Sequence, residues 1–171
     1  MTGNPGTTSM KGTTMRRITV LVTAFALVAF TAAPAMAERE RSRMLTAELS
    51  GQNEVPAVES EGHGIATFSL SRDGIRYKLA VENIDEVTQA HIHLGEAGEN
   101  GPVVAFLFGF VDGGVTTDGV LARGTITEGD LVGPLAGMPL SALVDALRSG
   151  GAYVNVHTVD HPAGEIRGQV G

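Results

Sequence analysis

Short segments in which apolar and polar residues alternate are the feature that most constrains the fold of this chain. The clearest are residues 90–94 and 153–157. Alternation with a period of two is typical of a β-strand with one buried face. It would place His91 and His93 on one side of the first strand and His157 on the polar side of the second. The pattern therefore predicts two strands whose histidines point away from the core.

Alternation, or in one case a continuous apolar run, predicts six further strands, at residues 45–50, 65–71, 75–82, 103–108, 120–127 and 165–170. The second and third of these form the clearest hairpin. Its apolar faces carry Phe68, Tyr77, Leu79 and Val81. Apolar residues at helical spacing predict one short helix at 139–149, which ends at a pair of glycines. Eight short strands and one helix favour an all-β fold, an antiparallel β-sandwich of the Greek-key type.

The first 37 residues have the pattern of a secretory signal peptide. A basic segment precedes an uncharged apolar run, and Ala35 and Ala37 form a small-residue cleavage site. The apolar run is shorter than the roughly 20 residues of a membrane-spanning helix. We expect residues 38–43 to be a flexible terminus and residues 44–171 to form one domain. The expected location is extracytoplasmic, either secreted or periplasmic, with no membrane association after cleavage.

Charge and cysteine content exclude several classes of function. The full chain has a net charge of −7, and the expected mature chain, with nine basic and nineteen acidic residues, has −10. Such a surface repels phosphate backbones, so nucleic acid is not an expected partner. The chain has no cysteine, which excludes disulfides, thiol catalysis and thiolate metal ligands. No recognisable catalytic set occurs, so the sequence favours a protein that is not an enzyme.

Three histidines are the candidate metal ligands. His91 and His93 would lie about 7 Å apart on one strand face. If the strand of His157 lies beside theirs, three imidazoles converge, a donor set that suits copper or zinc. His63 or His161 would be a possible fourth ligand. The alternative is a hydrogen-bonded polar patch that joins a loop to the sheet, with no metal.

Four polar residues near the predicted histidine strands are candidates for a surrounding shell: Asn155, Glu165, Arg167 and Gln169. They could orient the imidazoles, as outer hydrogen-bond partners of metal ligands do. Glu165 and Arg167 lie two residues apart on one strand. They would form either a surface ion pair of little energetic weight or a charge network beneath the loop that carries His161.

Three segments resemble the CHRD domain, the extracellular module named after chordin. The run Leu-Ser-Gly-Gln-Asn-Glu-Val-Pro ends at residue 56, and Ala-His-Ile-His spans 90–93. The third segment is residues 152–169, and the motifs occur in the family's order. The resemblance covers about residues 44–171. It implies a secreted binding module, and it supplies no catalytic residues.

A weaker, local resemblance links the strands of His91, His93 and His157 to the copper-ligand strands of copper–zinc superoxide dismutases. Those enzymes are also antiparallel sandwiches. This chain lacks their disulfide and has no further histidines shortly after His93 for a bridged zinc site. The resemblance implies a similar architecture without shared catalysis.

Three functional hypotheses follow from these patterns. The leading one is a secreted, non-catalytic CHRD binding module for an unidentified extracellular protein. The second is a copper- or zinc-binding protein with a redox or metal-handling role. The third is a structural component of the cell envelope.

Cleavage by signal peptidase should leave Glu38 as the mature N-terminus, because Ala35 and Ala37 fit the small-residue pockets of that enzyme. N-terminal sequencing of the exported protein checks this. Retention of residues 18–37 in the exported protein would contradict the prediction.

Overall fold

The computed structural model describes residues 1–6, residue 12 and residues 44–171. The predicted cleavage site and the stretch 38–43 lie outside the described residues. No helix in the described part of the chain is long and apolar enough to cross a membrane.

All eight predicted strands are confirmed, with ends that differ from the predicted ones by three residues or fewer. They are β1 Met44–Ser50, β2 His63–Ser71, β3 Gly74–Glu82, β4 Val87–Leu94, β5 Val103–Phe108, β6 Gly119–Ile126, β7 Ala152–Thr158 and β8 Ile166–Gln169. The predicted helix is α1, Leu140–Arg148. Three single-turn 3₁₀ helices complete the elements: Gly51–Asn53, Glu128–Asp130 and Gly133–Leu135.

The strands form one antiparallel sheet in the order β5-β4-β7-β8-β1-β2-β3-β6. The long connections are of the Greek-key kind, because β6 returns beside β3 and β7, after α1, returns beside β4. The expected all-β antiparallel architecture is therefore confirmed. Its two halves belong to a single curled sheet rather than to two separate ones.

A tyrosine joins the two ends of this sheet. Tyr77 on β3 donates a hydrogen bond of 2.7 Å to the carbonyl oxygen of Leu107 on β5. Its ring lies over Gly124, the residue opposite it on β6, where an added Cβ would come within 2.8 Å of a ring carbon. A glycine is required there because the ring crosses the edge strand to reach β5. Tyr77 is accordingly only half-buried, which corrects the prediction from the hairpin pattern that it is buried in the core.

The apolar core fills the concave side of the sheet. Phe68, Leu79 and Val81 have no exposed surface, as the hairpin pattern predicts. Leu143 and Leu147 of α1 are equally buried and close the core at one end. The helix ends at Arg148, and Gly150 follows its cap with a φ of +71°, in the left-handed region that favours glycine.

Replacing Leu79 with alanine should lower the free energy of unfolding by about 2–5 kcal/mol, because the side chain is wholly buried and its removal leaves a cavity. Urea unfolding followed by circular dichroism measures the change. The exposed Lys78 in the same strand provides the control, since Lys78→Ala should change stability by less than about 0.5 kcal/mol. Equal stability of the two variants would show that the core lies on the other face.

Candidate metal centre

The pairing of β4 with β7 brings the three predicted histidines together. His93 lies opposite Tyr153, His91 opposite Asn155, and His157 opposite Gln89. Because directly opposed residues share a face, the three imidazoles project from the same side of the sheet. One ligand nitrogen from each of the three lies within 4.8 Å of the other two.

The shortest contact in the cluster joins two ring nitrogens. Nδ1 of His91 lies 3.2 Å from Nε2 of His157. Two nitrogens bound tetrahedrally to one zinc ion, each about 2.05 Å from it, are about 3.3 Å apart. The separation therefore already suits two ligands of one ion. The third ring, His93, has its centroid 5.6 Å from that of His91 and 6.3 Å from that of His157.

Hydrogen bonds fix the tautomers of the three neutral rings, two of them through backbone carbonyls. A carbonyl oxygen only accepts, so Nδ1 of His93 donates to Gly101 over 2.9 Å. In the same way, Nδ1 of His157 donates to Pro162 over 3.1 Å. In each neutral ring the lone pair is then on Nε2. His91 must donate through Nδ1 to Nε2 of His157, which leaves its own Nε2 with a lone pair.

The Nε2 atoms of His91 and His93 are buried and have no hydrogen-bond partner. Outer hydrogen bonds from Nδ1 to carbonyls, with Nε2 left free, are the arrangement that metal-binding histidines commonly show. His93 shows this arrangement in full, and His157 has the carbonyl bond while its Nε2 faces Nδ1 of His91.

The histidines are buried, which corrects the expectation of a solvated outer face. His91, His93 and His157 are only 5%, 9% and 6% exposed. Two loops, residues 95–102 and 159–165, supply the carbonyls that cover them. On the β5 side the half-exposed ring of Phe106 stands edge-on to His91, with the ring centroids 4.8 Å apart.

Comparison with known proteins identifies the family of this domain. The family model of the CHRD domain matches residues 45–170. The chain belongs to the CHRD family. Chordin of Xenopus laevis is 31% identical over 140 residues, a match that covers 76% of this chain and 13% of the length of chordin. No solved structure matches the chain, so the local resemblance to superoxide dismutases rests on the histidine pattern alone.

The two additional histidines lie elsewhere in the CHRD domain. Strand pairing places His63 four strands away from His91, about 19 Å along the sheet at 4.8 Å per strand. His63 instead contacts the Glu82 carboxylate at 3.2 Å and is more than half exposed. His161 lines a cleft with Asp160 and Glu165, and the three-residue cluster does not include it.

Arg167 is the centre of a buried network, and not half of a surface ion pair with Glu165. Only 1% of its surface is exposed. Its guanidinium donates to the carbonyl oxygens of Glu96 and Glu99, over 3.0 and 2.7 Å, and to Oδ1 of Asn100 over 3.2 Å. Within residues 44–171, the single contact that meets the distance for an ion pair is that of His63 with Glu82. The glutamate partner proposed for Arg167 is thus replaced by loop carbonyls.

Tyr153 links Arg167 to the histidines. The guanidinium carbon lies 3.4 Å from the centroid of the tyrosine ring, and His93 stacks on the ring at 4.8 Å. Strand β7 runs between β4 and β8, so Tyr153 is sandwiched between the other two side chains. Its hydroxyl accepts a bond from the N–H of Gly101, the same residue whose carbonyl holds His93.

The other residues of the predicted polar shell also hold loops rather than imidazoles. Gln169 donates to the carbonyl oxygens of Gly95, Gly150 and Ala152. Glu165 accepts from the hydroxyls of Ser60 and Thr158. Asn155 is buried opposite His91, and no hydrogen bond joins it to an imidazole among the described residues. Backbone carbonyls therefore take the orienting role that the sequence analysis gave to these side chains.

Sequence reasoning missed three residues of the site: Tyr153, Phe106 and Glu54. Tyr153 carried a usable signal, because it alternates onto the histidine face of its strand. Phe106 sits in a continuous apolar run, where no alternation shows which side chain faces outward. Glu54 lies in the segment that the sequence predicts to end the first strand, where burial cannot be predicted. In the folded domain it is only 8% exposed.

Burial lowers the pKa of all three histidines. Desolvation, followed by repulsion from His157 and His93, lowers the pKa of His91 from 6.5 to about 4. Desolvation is also the largest cause for His93 and His157, and the bonds to Gly101 and Pro162 oppose it. The rings are therefore neutral at pH 7, which is the form that binds metal ions.

Acidification should destabilise the metal-free domain between pH 6.5 and 4. A histidine whose folded pKa is lowered binds its proton more readily when unfolded, so its contribution to stability is lost as pH falls below 6.5. The cost for His91 alone is about 2 kcal/mol at pH 5. Glu54, whose folded pKa burial raises to about 6, acts in the opposite direction. We expect the stability lost through the three histidines to exceed the stability gained through this one carboxyl.

Urea unfolding of the metal-free protein at pH 7 and pH 5 measures this dependence. We expect a lower free energy of unfolding at pH 5, and a larger drop for Glu54→Gln, which removes the opposing group. Equal or greater stability at pH 5 in the unsubstituted protein would contradict the burial of neutral imidazoles.

Proposed function

We propose that this CHRD domain is an extracytoplasmic, non-catalytic module that binds one copper or zinc ion through His91, His93 and His157. The observation that carries the proposal is the convergence of three buried imidazoles. One nitrogen of each ring lies within 4.8 Å of the other two, Nδ1 of His91 and Nε2 of His157 are engaged only by each other, and Nε2 of His93 has no partner. The extracytoplasmic location rests on the leader-like first 37 residues and on the kinship with chordin.

The chemistry of the donor set supports copper or zinc. Imidazole nitrogens suit zinc and copper, whereas magnesium and calcium prefer oxygen ligands. The ligand atoms would be Nδ1 of His91, Nε2 of His157 and Nε2 of His93, which is the nitrogen left free by the bond to Gly101. The proton that Nδ1 of His91 shares with His157 would then be carried by Nε2 of His91.

The cost of the cluster argues against a purely structural role for it. Two buried nitrogens without partners weaken the fold by about 1–3 kcal/mol each. A hydrogen-bonded patch that merely joined loop to sheet would use those atoms, as Arg167 uses its donors. A metal ion would bind Nε2 of His93 together with the nitrogens shared by His91 and His157, and its binding free energy would offset the cost of the cluster. The polar-patch alternative therefore describes the neighbouring Arg167 network better than it describes the histidines.

The purified domain should bind one equivalent of Cu(II) or Zn(II) at pH 7. Replacing His91 and His157 together with glutamine should reduce the affinity at least about 100-fold, since a single remaining imidazole cannot hold the ion. Isothermal titration with elemental analysis of the dialysed protein measures both quantities.

His63→Gln is the matched control, because His63 is an exposed histidine of the same domain that lies four strands away. It should bind like the unsubstituted protein. Absence of stoichiometric binding to the unsubstituted protein, or an equal loss in the His63 variant, would refute the three-histidine site. Circular dichroism checks that each variant is folded.

A further inference from the structure

Three basic side chains lie together on the outer face of strands β3 and β6. Lys78 lies directly opposite Arg123, and Arg76 is two residues before Lys78 on the same side of β3. Directly opposed residues are about 5 Å apart, and residues two apart on one strand are about 7 Å apart. All three side chains are exposed. They therefore form one cationic group, which we call the basic face.

The basic face contrasts with the rest of the domain, which is strongly acidic. Residues 44–171 contain six lysines and arginines and seventeen aspartates and glutamates. Half of the basic residues thus belong to this one group. A surface that serves only solubility intersperses the two signs of charge. The concentration of positive charge on two neighbouring strands therefore indicates a specific partner.

The charges of the basic face are not compensated within the domain. In residues 44–171, none of the three lies within ion-pair distance of a carboxylate. On the β2 side, the residues opposite Arg76 and Lys78 are Ser69 and Thr67, which carry no charge. Like charges directly opposite each other destabilise a sheet. The stability of the fold therefore does not explain why Lys78 faces Arg123, whereas a negatively charged partner does.

A row of aliphatic residues continues the same outer face beside the cations. Ile65 on β2, Ala80 on β3 and Val120 on β6 lie opposite one another. Ile65 and Val120 are 52% and 43% exposed. Ala80 is two residues beyond Lys78, so the row begins about 7 Å from the nearest cation. The outer face thus offers positive charge and exposed aliphatic surface side by side.

This combination fits an acidic segment of a polypeptide. Its carboxylates would pair with the three cations, and aliphatic side chains of the same segment would cover Ile65 and Val120. A nucleic acid or an anionic polysaccharide has no aliphatic side chain with which to cover that row. Arginine is also enriched at interfaces between proteins. The face therefore favours a protein over another anionic polymer.

The size of the face determines the strength of the contact. Three strands at about 4.8 Å each are about 14 Å wide, and eight residues extend about 26 Å. The area is on the order of 400 Å², about half of the roughly 800 Å² per partner in a standard protein interface. A contact of this size is weak and transient, and electrostatic attraction determines how fast it forms.

We propose that the outer face of β2, β3 and β6 docks an acidic, partly aliphatic segment of another protein. The basic face binds the carboxylates of that segment, and the row of Ile65, Ala80 and Val120 contacts its aliphatic side chains. None of these residues belongs to the histidine cluster. The proposal therefore stands independently of metal binding, and its test uses the metal-free domain.

Nuclear magnetic resonance titration of the isotopically labelled domain with a synthetic peptide of six Glu-Val repeats tests the proposal. The peptide supplies both carboxylates and aliphatic side chains. Amide signals of β2, β3 and β6 should shift saturably, and those of β4 and β7 should not. Raising the NaCl concentration from about 20 to about 300 mM should weaken binding at least about fivefold, because salt screens exposed charges.

Lys78→Gln and Arg123→Gln should each weaken peptide binding about two- to fivefold, the loss expected for one exposed ion pair. Arg148→Gln is the matched control, because Arg148 is an exposed cation on α1 and its replacement removes the same charge. It should bind like the unsubstituted domain. Lys78→Glu should bind at least about tenfold more weakly and yet melt no earlier, because its carboxylate would lie opposite Arg123.

Ile65→Thr tests the aliphatic row. It should weaken binding of the Glu-Val peptide about threefold and leave binding of a hexaglutamate peptide, which has the same number of side-chain carboxylates, unchanged. A hyaluronan oligosaccharide with six carboxylates should bind more weakly than the Glu-Val peptide. Tighter binding of the oligosaccharide would assign the basic face to a polysaccharide and overturn the proposal.

Two further outcomes would overturn it. One is the absence of a saturable shift on the outer face of β2, β3 and β6. The other is an equal loss of binding in Arg148→Gln, which would show attraction to any cation of the domain rather than to the basic face.

Discussion

The buried guanidinium of Arg167 is the constraint on which the candidate site depends. Removing a charged group from water costs several kcal/mol unless good partners replace the lost hydration. Here the loop at residues 95–102 provides two carbonyls and an amide oxygen, and Tyr153 provides an aromatic face. The need to satisfy Arg167 therefore determines where this loop lies. The same loop supplies the carbonyl of Gly101 that fixes His93.

Strand register is the second determinant of the site. Side chains alternate with a period of two, so a slip of one residue between β4 and β7 would exchange the histidines for Ile92 and Val154. Because those two aliphatic side chains are wholly buried in the core, such a slip would remove them from it and place polar imidazoles there. The apolar core thus maintains the strand register, and with it the geometry of the polar histidine cluster on the other face. The position of the three histidines is a consequence of hydrophobic burial on the opposite face.

The histidine cluster itself reduces stability in the metal-free domain. Its nitrogens are desolvated and partly unpartnered, and its pKa values are lowered because the charged forms are poorly solvated there. A domain without cysteines has no disulfide to offset this cost, so packing and the loop network must do so. Membership in the CHRD family, shown by the match over residues 45–170, places this cluster in a domain shared with chordin. A site that is preorganised for a ligand would show this kind of local destabilisation when the ligand is absent.

The strands, the helix, the strand face of His91, His93 and His157, and the family could all be predicted from the amino-acid sequence. Each of these follows from local periodicity or from short motifs, and alternation in β4 and β7 is visible without any knowledge of the fold. The sequence could not show that β4 and β7 are neighbours, that the three histidines are buried, or that His63 lies outside their cluster. These features depend on the tertiary structure. Strand order depends on long-range pairing, and no local pattern records it. The burial of Arg167 and Glu54 likewise required the covering loops, since the same side chains on an uncovered sheet would be solvated.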